Sequence, residues 1–207
     1  MMINGILRIG IYGGTFSPPH NGHKAALRAF MEQMKLDYAY VIPTAIPPHK
    51  TVGEDDDPAL RLRMCELAFG DMEGVVVSDM EIRRGGKSYT VDTLRELSGE
   101  NRRLFLLCGT DMILSLDRWY CAEEIFRLCY PIYVRRENDK MIDGMLVGKV
   151  KEYAETYNAI VRRVVCESIE LSSTEIREDV RAGRSIAGKV PPAVASYIAE
   201  KGLYRQV

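Results

Sequence analysis

The sequence predicts an α/β protein, a Rossmann-like doubly wound parallel sheet, and three observations support this. Short apolar, β-branched runs alternate along the chain with longer amphipathic runs, as strands and helices do in parallel sheets. The run at 103–109 is almost continuously apolar, which is typical of a strand covered on both faces. No internal repeat or low-complexity tract interrupts this order. We therefore expect residues 1–207 to form a single domain with a sizeable core.

The predicted elements follow one another in chain order. Strands are expected at 6–12, 38–43, 75–82, 103–109, 130–136 and 159–165. Helices are expected at 22–34, 57–70 and 89–98, and a small C-terminal helical part, about 172–207, contains two more. Ligands of such sheets bind beyond the carboxyl ends of the strands, so the loops after residues 12, 43, 109 and 165 are expected to carry the site.

The net charge, the first apolar run and the cysteines exclude several kinds of binding partner and of protein. The formal net charge of -1 gives no general attraction to nucleic acid or to an anionic membrane, and we expect neither as a partner. The first apolar run, 5–14, is short and contains Arg8, so we expect neither a secretion signal nor a membrane span. The five cysteines form no C-x-x-C pair, which predicts reduced thiols in the cytoplasm rather than disulfides or a zinc site.

The loop after the first strand, GIYGGTFSPPHNGH, holds two of the three histidines of the chain. Gly13 and Gly14 would let the backbone approach a ligand closely. His20 and His23 are three residues apart at a helix start, where their side chains would point the same way beside exposed N–H groups. This arrangement favours an anion, most plausibly phosphate. The alternative is a Gly/Pro turn with two surface histidines.

A second phosphate-binding pattern lies near the C-terminus, in LSSTEIR at 171–177. Ser172 and Glu175 fit a capping box, so one interpretation is only a well-formed helix start. The capping box does not explain Ser173, Thr174 and Arg177. If the helix begins at Ser173, two hydroxyls, free amides and a guanidinium converge on one point. Two such sites that face each other would suit a triphosphate.

The two patterns together resemble a known family. GGTFSPPHNGH resembles the G-x-F-x-P-x-H-x-G-H signature of nucleotidyltransferases, and SSTEIR resembles their S-x-T-x-I-R motif. PPHK at 47–50, GKSYTVDTL at 86–94, LCGTDMILSLDRWY at 107–120 and VPPAVASYIAEKGLY at 190–204 are similar to bacterial nicotinate-nucleotide adenylyltransferases. The resemblance covers nearly the whole chain, and only 136–158 contains no recognisable motif.

The resemblance implies a reaction and its partners. Nicotinate mononucleotide and ATP would give deamido-NAD and pyrophosphate, a step of NAD biosynthesis. Mg²⁺ would be the cofactor and would be held mainly by the ATP phosphates and water, so no residue is predicted as a metal ligand. Because the 5′-phosphate is already ionised at neutral pH, positioning and charge stabilisation would supply most of the rate.

The resemblance also implies roles for particular residues. His20, His23 and Arg177 would be catalytic. ATP would be bound by Gly13, Gly14, Thr15, His20, His23, Gly109, Asp111, Ser173, Thr174 and Arg177. The mononucleotide would be bound by His49, Lys50, Thr90, Trp119 and Tyr120, where Trp119 would stack on the pyridine ring and the N–H groups of Thr90 and Tyr120 would receive its carboxylate. From the residues alone, Asp111 could be a helix N-cap, a role that is compatible with ribose contact, and Trp119 could instead be a core residue.

Three other functions remain open at this stage. The substrate could be nicotinamide mononucleotide rather than nicotinate mononucleotide. Phosphopantetheine adenylyltransferases share both phosphate motifs but are shorter and lack the SYTVDTL and DRWY segments. A non-catalytic nucleotide sensor could also use this scaffold, and it would bind ATP without releasing pyrophosphate. The sequence leaves open whether the chain forms a homo-oligomer.

Overall fold

The computed structural model describes residues 5–46, 57–134, 140–166 and 171–205. These residues form an α/β fold with a six-stranded sheet in the order β3-β2-β1-β4-β5-β6. Its strands are β1 (Leu7–Gly14), β2 (Tyr38–Pro43), β3 (Val75–Val77), β4 (Arg102–Cys108), β5 (Cys129–Val134) and β6 (Arg162–Val164). The pairs β1/β4, β4/β5 and β5/β6 are parallel. The predicted fold class is confirmed.

The described ranges also contain nine α-helices. They are α1 (Asn21–Gln33), α2 (Pro58–Phe69), α3 (Met80–Arg84), α4 (Thr90–Leu97), α5 (Thr110–Leu114), α6 (Ala122–Leu128), α7 (Lys140–Tyr157), α8 (Ser173–Arg181) and α9 (Pro192–Lys201). A short 3₁₀ turn, Leu116–Arg118, follows α5. Within these ranges, no helix has the length and apolar character needed to cross a bilayer.

The strand predicted at 75–82 is wrong beyond Val77, where the chain turns into α3. Two local interactions favour this helix over a longer strand. The Ser78 hydroxyl accepts a hydrogen bond from the N–H of Met80 at 3.3 Å, and Arg83 donates to Asp79, four residues earlier, at 2.9 Å. Such contacts of neighbouring residues compete with strand formation and are not visible in the apolar pattern.

Contacts between residues divide the chain into two compact units. The first contains the described parts of 1–12, 26–40 and 89–168, and the second those of 13–25, 41–88 and 169–207. The single domain expected from the sequence stays a prediction.

The core of the first unit is built around β1 and β4. Their register runs from Leu7 opposite Arg102 to Ile11 opposite Leu106. Every residue from Leu104 to Cys108 is buried, as the continuous apolar run predicts. Gly10, in the middle of β1, lies where neighbouring side chains leave no space. A Cβ atom there would be 2.6 Å from Leu36 Cδ1 and 2.8 Å from Phe30 Cε1.

In the second unit, a buried carboxylate holds the loop between α8 and α9. Asp179 of α8 accepts hydrogen bonds from Lys189 Nζ at 2.6 Å and Arg184 Nε at 2.7 Å. The carbonyl oxygens of Gly188 and Lys189 in turn accept from the side chain and backbone N–H groups of Asn21, at 2.8 and 2.9 Å. The first residue of α1 is therefore attached to this loop.

We expect Gly10→Ala to lower the free energy of unfolding by about 1–3 kcal/mol, because one added methyl group overpacks the core of the first unit. The measurement is the free energy of unfolding by chemical denaturation. Gly148→Ala is the matched control, because a Cβ atom at that position of α7 meets nothing within 4 Å. It should leave stability unchanged or raise it by up to about 1 kcal/mol. A Gly10→Ala variant as stable as the parent would contradict this account of the core.

Asp179→Asn is expected to destabilise the protein at neutral pH but not at low pH. The hydrogen bonds from Lys189 and Arg184 lower the pKa of Asp179 in the folded protein. The ionised carboxylate therefore stabilises the folded protein fully at pH values above the pKa of Asp in the unfolded chain, which is near 4. This stabilisation is lost as the pH falls further, through the lower pKa of Asp179 in the folded protein.

Urea midpoints of Asp179→Asn and its parent, measured from pH 7 downward, should therefore differ most near pH 7 and converge below about pH 4. Asp71→Asn is the control, because the side chain of Asp71 is 71% exposed in its pair with Lys24. It should show only a small difference at every pH. A constant difference for Asp179→Asn down to the lowest pH would rule out this ionic role.

Candidate active site

The last residues of β1 and the loop that follows them are accessible at Gly13 and packed at Phe16. A Cβ atom at Gly13 would meet nothing within 4 Å, so a ligand can approach the backbone there. The carbonyl oxygen of Gly14 accepts a hydrogen bond from the N–H of Thr44 at 3.0 Å. The Phe16 ring is buried and meets the His23 ring edge-on, with 5.2 Å between the centroids.

The two histidines of this loop cap the start of α1 with their own rings. The Nδ1 atom of His23 accepts from the backbone N–H of His20 at 3.1 Å, and the Nδ1 atom of His20 accepts from the backbone N–H of His23 at 3.3 Å. This is the reciprocal pattern of a capping box, here made by two imidazoles. The rings stack with centroids 3.6 Å apart.

This capping assigns the protons of the two rings. Because each Nδ1 atom accepts a hydrogen bond, the hydrogen of each neutral ring is assigned to Nε2, which becomes a donor. His20 is 2% exposed and His23 is 8% exposed, so the interpretation as two surface histidines is wrong. The loop presents two buried imidazoles whose Nε2–H groups suit an anionic ligand.

The C-terminal motif is attached to the same loop. Ser172 accepts a hydrogen bond from the N–H of Glu175 at 3.1 Å, and α8 begins at Ser173 as predicted. The Ser173 hydroxyl donates to the carbonyl oxygen of Pro18 at 2.9 Å, and Arg177 Nη1 donates to that of Ser17 at 2.7 Å. The second unit thus brings the two motifs together. We call this group the motif cluster: Gly13, Gly14, Thr15, His20, His23, Ser173, Thr174 and Arg177.

These bonds determine which groups of α8 can reach a ligand. The only hydroxyl hydrogen of Ser173 is directed to Pro18, so this side chain holds the turn while its backbone N–H belongs to the exposed first turn of the helix. The Thr174 hydroxyl accepts from Arg177 Nη2 at 3.1 Å and keeps its own hydrogen for donation. Two of the five N–H groups of Arg177 are used in the bonds to Ser17 and Thr174.

The sequence analysis missed Arg61 of α2, although a signal was present. Its Nη1 and Nη2 atoms donate to the carbonyl oxygens of Thr15 and Ala45 at 3.0 and 3.1 Å. Arg61 is 1% exposed, and it lies on the buried face of the helix. This face consists of Arg61, Met64, Cys65, Ala68 and Phe69, so an arginine occupies the first position of an apolar helical repeat.

The first unit carries a second group of predicted site residues at the end of β4. Gly109 follows the strand and caps α5, and a Cβ atom there would meet nothing within 4 Å. Asp111 lies in the first turn of α5 and is exposed. The interpretation of Asp111 as the N-cap is therefore wrong, because Gly109 occupies that position. Trp119 is half-buried rather than part of the core.

Thr90 and Tyr120 lie on segments that an ion pair holds together. Thr90 begins α4, and its N–H belongs to the exposed first turn of that helix. Arg95 of α4 binds both carboxylate oxygens of Glu124 in α6, and hydrogen bonding to Arg95 lowers the pKa of Glu124. The Tyr120 ring lies 4.7 Å from that of Tyr89, the residue before α4.

Helix α7, in the segment without a recognisable motif, supports this second group. The Tyr153 hydroxyl donates to the carbonyl oxygen of Ile113 at 2.8 Å, and Lys149 pairs with Asp117 at 2.8 Å. Burial raises the pKa of Tyr153 to about 12. The helix thereby anchors the chain between Asp111 and Trp119.

Two predicted mononucleotide ligands, His49 and Lys50, lie outside the described residues. Within the described ranges, no group of three or more His, Cys, Asp or Glu side chains is placed to hold a metal ion. The five cysteines form no disulfide. Burial raises the pKa of the Cys108 thiol to about 12, which makes it unreactive at neutral pH.

Comparison with known proteins connects this geometry to a family. The Cytidylyltransferase-like family model matches residues 11–179. A protein of Synechococcus sp. (strain JA-2-3B'a(2-13)), named "Probable nicotinate-nucleotide adenylyltransferase", is 38% identical over 202 residues, which are 96% of this chain and 98% of that protein. A protein of the same name from Gemmatimonas aurantiaca is 36% identical over 97% of this chain and 93% of its own length.

Solved structures agree on the fold. The Plasmodium falciparum nicotinic acid mononucleotide adenylyltransferase complexed with NaAD has a TM-score of 0.73 at 18% identity, over 96% of this chain and 97% of that one. The same enzyme complexed with APC gives a TM-score of 0.70 with the same coverage. Because these relatives match the chain over nearly its full length, the chain belongs to the nicotinate-nucleotide adenylyltransferase family.

Proposed function

We propose that this protein transfers the adenylyl group of ATP to nicotinate mononucleotide, giving deamido-NAD and pyrophosphate in NAD biosynthesis. The observation that carries this proposal is the attachment of α8 to the turn before His20, through Ser173 and Arg177. This attachment gathers two imidazoles, a guanidinium and a helix N-terminus in one unit, which suits a triphosphate. The names of the full-length relatives support the choice of the second substrate.

The proposed reaction needs no protein nucleophile. A 5′-phosphate oxygen of the mononucleotide attacks the α-phosphorus of ATP, a new P–O bond forms, and the bond to the bridging oxygen breaks as pyrophosphate departs with the electron pair. The attacking phosphate is ionised at neutral pH, so no strong base is required. The protein must align the two phosphates and stabilise the charge that develops on the bridging oxygen.

The motif cluster supplies groups suited to both tasks. We assign the Nε2–H groups of His20 and His23 to the α- and β-phosphates, where they would stabilise the departing oxygen. Arg177, the Thr174 hydroxyl and the first N–H groups of α8 would hold the β- and γ-phosphates. The backbone of Gly13, Gly14 and Thr15 would pass beneath the phosphates, and Gly109 and Asp111 would contact the nucleoside.

We propose that Mg²⁺ enters with ATP as part of the substrate. Phosphate oxygens and water are the ligands that Mg²⁺ prefers when a protein offers few carboxylates. The donors of the motif cluster are N–H and O–H groups, which bind phosphate rather than metal. Bound to the phosphates, Mg²⁺ would neutralise part of their charge and ease the departure of pyrophosphate.

The second group of residues suits a flat ring that carries a carboxylate. We propose that Trp119 stacks on the pyridine ring and that the N–H groups of Thr90 and Tyr120 bind its carboxylate. The N–H of Thr90 lies at a helix start, which favours a negative charge. Nicotinamide has no such charge and presents its own N–H group to these donors. His49 and Lys50 are proposed to bind the mononucleotide phosphate.

We further propose that residues 1–207 work as one nucleotidyltransferase domain in the cytoplasm, where the cysteines stay reduced. Its partners are ATP and nicotinate mononucleotide, and the proposal includes no nucleic acid or membrane.

The proposed function is tested by pyrophosphate release with MgATP and each of nicotinate mononucleotide, nicotinamide mononucleotide and phosphopantetheine at equal concentration. We expect release mainly with the nicotinate compound, because only its carboxylate matches the N–H donors. Preference for either other acceptor would retain the ATP-binding assignment and overturn the pocket of Thr90, Trp119 and Tyr120. ATP binding without release from any acceptor would indicate a nucleotide sensor.

His20→Asn separates the catalytic role of His20 from its capping role. The asparagine oxygen can replace Nδ1 as the acceptor for the N–H of His23, since Asn is a good N-cap, but no group replaces Nε2–H. We expect a modestly lower thermal midpoint, because a buried, stacked ring is replaced by a smaller side chain. Turnover per folded molecule should be about 10²–10³-fold lower, the usual cost of one lost donor to developing charge.

His20→Gln is the complementary variant. The amide nitrogen of glutamine can lie near the position of Nε2 and donate in its place, but the hydrogen bond from the N–H of His23 to Nδ1 is lost. It should have a lower thermal midpoint and retain more turnover than His20→Asn. Near-normal turnover of a folded His20→Asn protein would contradict the assignment of Nε2–H to the departing phosphate.

A further inference from the structure

Arg61 is a buried cation to which the proposed reaction gives no role. It is 1% exposed and lies on the apolar face of α2, among Met64, Cys65 and other core side chains. Removal of a guanidinium from water is costly unless its N–H groups are satisfied, and an apolar residue would fit this helix face more simply. A buried arginine at this position is therefore explained by its hydrogen bonds rather than by the space that it fills.

Those contacts join two loops that leave the sheet. Arg61 Nη1 donates to the carbonyl oxygen of Thr15, in the loop after β1, at 3.0 Å. Arg61 Nη2 donates to that of Ala45, in the segment after β2, at 3.1 Å. Both carbonyls belong to residues beyond the ends of β1 and β2. One planar guanidinium thus bridges the two segments, in addition to the backbone bond from Thr44 to Gly14.

The segment at 44–46 is fixed from other sides as well. The N–H of Thr44 donates to the carbonyl oxygen of Gly14 at 3.0 Å, and the N–H of Ala45 donates to the buried Ser88 hydroxyl at 2.8 Å. The N–H of Ser88 returns a bond to the carbonyl oxygen of Ile46 at 3.0 Å. These bonds leave the segment little freedom, and Arg61 connects it to Thr15.

The two joined segments lead to residues proposed for different substrates. Thr15 belongs to the motif cluster, which is assigned to the ATP phosphates. Ala45 lies shortly before His49 and Lys50, which are assigned to the mononucleotide phosphate. The attack of one phosphate on the other depends on the distance and angle between them, so the backbone before His49 and Lys50 and the backbone of Thr15 must be held in a constant relation.

We propose that Arg61 is a positioning residue for both substrates. Its two donors hold the carbonyl oxygens of Thr15 and Ala45 at a fixed separation, and this aligns the backbone under the ATP phosphates with the segment that leads to His49 and Lys50. The inference rests on the proposed function. A lysine cannot replace the guanidinium, because an ammonium is a single donor centre without a planar fork.

The test uses Arg61→Lys and Arg61→Ala in the full chain, with Arg63→Ala as the matched control. Arg63 lies on the same helix but is exposed, and it pairs only with Glu66 at 2.8 Å among the contacts described for it. Pyrophosphate release is measured with each substrate varied in turn. For folded Arg61→Lys, we expect kcat to fall about 10–100-fold with a higher KM for both substrates, and no change for Arg63→Ala.

Chemical rescue distinguishes a positioning role from a purely structural one. Ethylguanidinium at low millimolar concentration should restore part of the turnover of Arg61→Ala, because it can occupy the vacated space and donate to both carbonyls. Ethylammonium should not. If Arg61→Ala does not fold, the split between kcat and KM in Arg61→Lys carries the test alone.

Three results would overturn the proposal: normal kcat and KM in Arg61→Lys, a change confined to one substrate, or lost stability with normal turnover per folded molecule. Failure of the proposed function gives a different result, since the unaltered protein would then release no pyrophosphate with nicotinate mononucleotide. In that case, calorimetric titration with ATP still tests whether Arg61 positions Thr15. Equal ATP affinity in Arg61→Lys and the parent would contradict the positioning of Thr15 by Arg61.

Discussion

The candidate site depends on two hydrogen bonds, from Ser173 and Arg177 to the carbonyl oxygens of Pro18 and Ser17. They join residues 155 and 160 positions apart in the sequence. The accepting carbonyls lie in a turn outside any strand, where an unpaired buried group costs about 1–3 kcal/mol. Docking of α8 and the shape of the turn before His20 therefore stabilise each other. Each motif has its own local cap, and these two bonds join the motifs into one cluster.

The histidines show how one side chain can serve structure and chemistry together. A Ser or Asp at position 20 would cap α1 equally well, but its single polar group would then be used. An imidazole has two nitrogen atoms on opposite sides of the ring, so Nδ1 can cap the helix while Nε2 keeps its hydrogen. The reciprocal capping of His20 and His23 fixes both rings and both tautomers before any ligand binds.

Features of the fold that follow from the local pattern of apolar residues and from the order of the elements could be predicted from the sequence. The fold class, most strands and the start of α8 at Ser173 could be found from apolar alternation and a capping box. The pattern did not reveal α5 and α6, which are short, or α7, which contains two glycines and a weak apolar repeat. Arg61 was missed for a different reason: its place in the apolar repeat of α2 marks it as buried, but its partners are distant backbone carbonyls, which no local pattern records.

The residues that support the site share a physical property, since both Arg61 and Asp179 are buried charges. Backbone beyond the strand ends lacks the hydrogen bonds of the sheet, and apolar packing cannot fix the direction of a free carbonyl or N–H group. Polar side chains must do so, despite the cost of removing them from water. Arg61 binds two such carbonyls directly, whereas Asp179 holds Lys189, whose carbonyl binds Asn21. In the second unit, therefore, apolar packing stabilises the fold, whereas buried charges determine where its loops lie.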